Sequence, residues 1–110
     1  VEFLPPPSYK LVRVNPSLLN TLGESSLDIL GRSLVNYVES SFKIQFQKRI
    51  KKVLSIGLPN IFHMRLIPVG EPSIEVRAIH FPVVDETGRI IRIGGHGRIV
   101  KANAQLSVFD

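Results

Sequence analysis

The chain has no cysteine. Disulfides, zinc-thiolate sites and thiol catalysis are therefore excluded from its 110 residues, and cysteine usage says nothing about redox compartment. No apolar run approaches the length that spans a bilayer, and the first residues lack the pattern of a signal sequence. There is no internal repeat and no low-complexity tract. The constellations of hydrolysis and phosphoryl transfer are missing too: no nucleophile elbow, no His-Glu-x-x-His, and no glycine loop between a strand and a helix. No catalytic residue is assigned, and the chain is read as a non-enzyme.

Acids are scarcer than bases, 9 Asp and Glu against 14 Lys and Arg, for a net charge of +5 and a pI near 10.0. Such a balance can favour nucleic acid or an anionic surface. The densest basic cluster is Lys43, Lys48, Arg49, Lys51 and Lys52. It alternates with apolar residues at helical spacing, which is the pattern of a solvated helix face, so nucleic-acid binding is not expected. With 44% hydrophobic residues the chain can build one modest core. Because it begins at Val1 rather than Met, it is read as a piece of a longer, cytoplasmic protein, with a domain over 1–102 and a connector over 103–110.

What is present is organised around Ser73–Lys101. Two apolar runs, Ile74–Val84 and Ile90–Val100, flank Asp85-Glu86-Thr87-Gly88, a polar link whose glycine can take positive φ. This predicts a long antiparallel hairpin. Val76, Ala78 and His80 share one face of its first strand, and Ile91, Ile93, Gly95, Gly97 and Ile99 share one face of the second. Upstream, Val1–Leu4 and Tyr9–Val14 read as short strands. Asn15-Pro16 starts, and Gly23 closes, a helix over Pro16–Leu22. Ser25 with Asp28 makes a weak capping box, Gly31 ends that turn, and Ser33–Val38 reads as one more helical turn. The longer helix is Phe42–Ile56, with Phe42, Phe46, Ile50, Val53 and Leu54 as its apolar stripe; Ser40 or Ser41 can cap it, and Gly57 ends it. Asn60–Pro68 then alternates Phe62, Met64 and Leu66 against His63 and Arg65, a half-buried strand.

Four blocks in this order resemble a PAS domain: Val14-Asn15-Pro16 with Leu22-Gly23, Leu27 to Leu34, Phe81 to Ile90, and Gly95-His96-Gly97-Arg98. The resemblance covers nearly the whole chain. It implies an α+β fold, with a five-stranded antiparallel sheet in spatial order 2-1-5-4-3 and helices on one face. It further implies a sensor or interaction module of a multidomain signalling protein, relaying ligand binding or partner docking to an adjacent effector. A ligand-free protein-binding or homodimerisation domain with a filled core is the alternative. Two departures stand out. Arg98-Ile99-Val100 lacks the acidic residue that usually follows the arginine, so an ion pair tying the last strand down is missing. Glu39-Ser40-Ser41 replaces the common His-Pro-x-Asp before the long helix.

The resemblance also implies a ligand position between the long helix and the sheet. The candidate pocket takes Phe46 and Ile50 from the helix, Met64 and Leu66 from the third strand, Ala78 and His80 from the fourth, and Ile93, Gly95 and Gly97 from the fifth. Cysteinyl-flavin chemistry is excluded without a cysteine. Haem is disfavoured because Phe42–Ile56 carries no histidine, and a small apolar metabolite stays open. His63, His80 and His96 come from three strands and are not expected to converge on a metal. The candidate interface lies on the opposite sheet face, at Ile90, Arg92, His96, Arg98 and Val100. Its expected partner is a second copy of the domain, another PAS domain or an effector.

Overall fold

The computed structural model describes residues 1–70 and 72–101. The proposed connector over 103–110, with Leu106, Val108 and Phe109, lies outside the described residues. In chain order the elements are β1 (Glu2–Phe3), β2 (Leu11–Arg13), α1 (Pro16–Leu22), α2 (Ser26–Ile29), two 3-10 turns (Leu34–Tyr37 and Ser40–Phe42), α3 (Lys43–Ile56), β3 (Asn60–Leu66), β4 (Ile74–Val84) and β5 (Ile90–Lys101). The strands form one antiparallel sheet in the order β2-β1-β5-β4-β3, as the resemblance implies. All helices follow β2 and precede β3, so the chain crosses one sheet face once before completing the sheet.

Local chemistry accounts for most element ends. Asn15 Oδ1 accepts a hydrogen bond from the Leu18 N–H at 3.0 Å, satisfying one of the free donors of the first turn of α1, and Pro16 fits where no donor is needed. Gly23 ends α1 and Gly57 ends α3, both in the left-handed region. In the β4–β5 link, the Asp85 carboxylate accepts from the Thr87 N–H, the Thr87 hydroxyl and the Arg89 N–H, at 2.9, 2.7 and 3.1 Å. Those bonds favour the ionised carboxylate and hold its pKa below the usual value.

Three expected details differ. Neither Ser40 nor Ser41 caps α3: a 3-10 turn over Ser40–Phe42 leads into it, and the Ser41 hydroxyl donates instead to Glu39 Oε1 at 2.8 Å. Ser25 likewise bonds the Asp28 carboxylate, at 2.7 Å, rather than a backbone donor. Tyr9 does not belong to the strand alternation, since its φ of 53° turns the chain, yet its ring is buried against Phe46. The alternation of β3 is complete: Phe62, Met64 and Leu66 are buried, while Ile61, His63 and Arg65 are exposed.

The densest part of the core lies where α3 crosses the sheet. Phe46, Ile50 and Val53 are buried there with Phe3, Phe62 and Ile93. Phe46 meets Phe3 at 6.1 Å and Tyr9 at 5.9 Å between ring centroids. The basic residues of α3 ride outside this layer. Lys48, Lys51 and Lys52 are exposed, and the Arg49 guanidinium stacks on Phe62 at 5.5 Å.

Candidate functional site

A cavity of about 350 Å³ lies on the inner face of the sheet, beside the filled core rather than within it. Its floor is the sheet: Met64 and Leu66 of β3, Val76, Ala78 and His80 of β4, and β5 from Gly95 to Ile99. Its other wall is α1, through Asn15, Ser17, Leu18 and Thr21, with Leu34 from the following 3-10 turn and Val1 beside β5. The exposed lining residues Asn15, Ser17 and Ile99 mark its mouth.

Six of the nine candidate pocket residues, Met64, Leu66, Ala78, His80, Gly95 and Gly97, line this cavity. Phe46, Ile50 and Ile93 do not. Each has no exposed surface and fills the core under α3. The physical reason is volume: the α3 stripe carries side chains large enough to close the space it covers, whereas α1 presents Ser17 and Thr21 to the sheet. Those two residues, four apart and so on one face of α1, are the signal that sequence reasoning missed. Ile91 was placed on the inner face by alternation, but the β4–β5 register shifts beside it, and it is exposed.

His80 is the deep polar group of the site. It is 2% exposed, and Phe3 and Phe46 meet its ring edge-on at 5.9 and 5.6 Å. Its Nδ1 is sealed from solvent without a hydrogen-bond partner among the described residues. The Cδ2–Nε2 edge lies beside Gly95, and a Cβ placed there would come within 3.1 Å of Cδ2 and 3.5 Å of Nε2. Gly95 thus gives the imidazole its room. Burial, with a smaller push from the positive charge at the Val1 amino group, lowers the His80 pKa to about 4. The ring is therefore neutral at physiological pH.

The walls are fastened from outside the cavity. The Tyr37 hydroxyl donates to Glu24 Oε2 at 2.8 Å, and Arg32 donates to both at 3.1 Å. This network ties the segment after α1 to the 3-10 turn carrying Leu34. The Val69 N–H donates to the Leu22 carbonyl at 3.0 Å and holds the end of α1. On the sheet side, Glu2 lies between Arg92 of β5 and Arg13 of β2, at 3.0 and 3.4 Å. That clamp ties β1 to the central strand β5 on one side and to β2 on the other.

The outer face of the sheet holds the candidate interface. His96, Arg98 and Val100 are exposed there, Ile90 is half-buried, and Arg92 is half-buried in its pair with Glu2. Ile61, Ile79 and His96 stand in register across β3, β4 and β5, and His63, Arg77 and Arg98 form the next row. Ile61 is 50% exposed and Phe81 36%. The Phe81 ring lies over Gly94, where a Cβ would come within 2.5 Å of two ring carbons. His63 and His96 thus share the outer face while His80 points inward, so the three do not meet.

No family model matches this sequence, and no curated protein matches it. Solved structures do. The PAS-B domain of Drosophila melanogaster Cycle, with bound ethylene glycol, has a TM-score of 0.79 at 14% identity over 89% of this chain and 95% of that one. The PAS domain of a Colwellia psychrerythraea protein gives 0.77 at 10% identity, over 84% and 78% of the two chains. The light-state LOV domain of the blue-light photoreceptor Aureochrome1 gives 0.75 at 17% identity, over 93% and 80%. This chain is a PAS-fold domain.

Proposed function

We propose that this PAS-fold domain is a small-molecule sensor whose ligand occupies the cavity between α1 and the sheet. The observation that carries the reading is His80, a buried imidazole that makes no hydrogen bond among the described residues and stands in the wall of a largely apolar space. Burying an imidazole without partners is costly, and a ligand that bonds its Nε2 edge recovers part of that cost even though Nδ1 stays unpaired. Cysteinyl-flavin chemistry does not carry over from the LOV neighbours, because these 110 residues contain no cysteine. The relay follows from which elements the occupant touches. It contacts α1 and β5 together, so it favours whichever separation of the two suits it, a shift of population passed along β5 to the rest of the protein. Native mass spectrometry and an absorption spectrum of the purified domain test this. A retained small molecule, released on denaturation, is expected. A bare mass that no small molecule changes would sink it.

The outer face supports a second reading, docking of a protein partner. Exposed Ile61 and Phe81 beside the cations Arg77 and Arg98 form a surface that is apolar and basic at once. Light scattering across concentration, with Ile61→Glu as control, checks the homodimer form of it. A strict monomer would count against that form.

A further inference from the structure

We propose that the cavity selects an uncharged, largely apolar molecule with one hydrogen-bonding group, which pairs with the His80 imidazole. The inference rests on the small-molecule reading of the same cavity and adds the chemistry of its ligand.

The wall offers a charged ligand little compensation for leaving water. Among the described residues no Asp, Glu or Lys lines the cavity, so an ammonium group would leave water for a site with no carboxylate to meet it. An anion meets the opposite difficulty. Arg98 borders the cavity but belongs to the outer-face row of β5 with Arg77, the Val1 ammonium already donates to the Gly95 carbonyl at 3.1 Å, and burial keeps the deep polar group, His80, unprotonated to about pH 4. The remaining deep lining is aliphatic or thioether, from Met64, Leu66, Val76 and Ala78. A pure hydrocarbon suits these walls but leaves the imidazole unpaired. A hydroxyl, amide or ring N–H on an apolar body satisfies both. The position of that group is set as well: it must reach the Cδ2–Nε2 edge beside Gly95, since Nδ1 has no access to solvent. Asn15, Ser17 and Thr21 are polar but belong to the α1 wall, where they can serve a second polar end near the mouth. At about 350 Å³ the space is near the small end of ligand pockets, roughly 300 to 1,000 Å³, which suits a body of one or two rings.

Four probes of matched shape test this on the 110-residue chain at pH 7: naphthalene, 2-naphthol, 2-naphthoate and 2-naphthylmethylamine, each titrated while amide and imidazole NMR signals are recorded. We expect 2-naphthol to shift the amides of Gly95 and Thr21 and to bind roughly two- to tenfold more tightly than naphthalene, the yield of one net hydrogen bond. Its addition should also move the His80 ring nitrogen signals in the unaltered protein. The two charged probes should produce no saturable shift. In His80→Phe, which keeps an aromatic ring against Phe3 and Phe46, 2-naphthol should lose its advantage. Binding of 2-naphthoate or the amine as tight as that of 2-naphthol overturns the inference, as do His80 nitrogen signals unmoved by bound 2-naphthol. These outcomes leave the cavity reading standing. Failure of all four probes to bind the folded chain removes the cavity reading itself, and this inference with it.

Discussion

The inner face of the sheet is closed under α3 and open under α1, although both helices lie across the same strands. Under α3, Phe46, Ile50 and Val53 are buried in one cluster with Phe3, Phe62 and Ile93. Under α1, a helix of 7 residues offers Ser17, Leu18 and Thr21, and the facing strands offer Ala78, Gly95 and Gly97. At these positions small residues face small residues, and the larger lining side chains, Leu18, Met64, Leu66 and Val76, do not fill the volume between them. The difference shows how to read an amphipathic stripe. A helix with large side chains at each inward position marks where a core is full, because protein interiors pack to near crystal density where the pieces allow it. A ligand site belongs where the inward positions are small or polar on both sides.

The comparison breaks most plainly by truncation. Phe46→Ala removes a fully buried ring that touches Phe3, Tyr9 and His80. A loss of about 3–5 kcal/mol is expected. Leu18→Ala, at a half-buried position bordering space that is already empty, should cost under about 2 kcal/mol. Urea denaturation of both variants, read at constant slope, decides it. Equal losses would mean that the α1 side is as tightly packed as the α3 side.

A titration sharpens the comparison next, because His80 stands at the boundary of the two halves. Its folded pKa of about 4 lies below the ordinary value of 6.5, so the unfolded chain takes up this proton first as pH falls. The contribution is complete above pH 6.5, and stability declines as pH drops through the window from 6.5 to 4. Between pH 7 and pH 5 the imidazole accounts for about 2 kcal/mol. His80→Phe should lack this part of the slope while keeping the aromatic contacts. Glu39 and Asp85, whose folded pKa values are also lowered, contribute at more acidic pH and in both proteins. Parallel stability curves for the two proteins between pH 7 and pH 5 would show that the imidazole is not sealed.

Much of this architecture is legible in single residues. Asn15-Pro16 and Gly23 mark both ends of α1, the alternation of Phe62, Met64 and Leu66 marks the inward face of β3, and Asp85 to Gly88 marks the turn of the hairpin. Each is a local signal, set within a few residues. The position of the cavity is not, because it depends on where α1 crosses the sheet, a distance between segments some 80 residues apart. The Glu2 clamp is hidden for the same reason, its partner Arg92 being 90 residues away. Phe81 over Gly94 depends on the hairpin register, and a shift of one residue would separate them. The bend at Tyr9 was illegible because tyrosine carries no preference for positive φ.

Insertion gives the smallest and most selective effect. Ala78→Val adds two methyl groups on a β4 position whose side chain faces both Gly97 and the cavity, so the added volume has somewhere to go. Valine is also well suited to a strand. Its stability should stay within about 1 kcal/mol of the parent, since apolar burial offsets whatever adjustment is needed. Val53→Leu adds a single methylene on the buried face of α3, at a position 1% exposed, and should cost about 1 kcal/mol or more through displaced rotamers. The larger insertion is thus expected to be the milder one. Denaturation midpoints in the reverse order would show that the space over Ala78 is closed. Ala78→Val should also weaken 2-naphthol binding while leaving the fold intact, because the added methyl groups take up volume the ring needs.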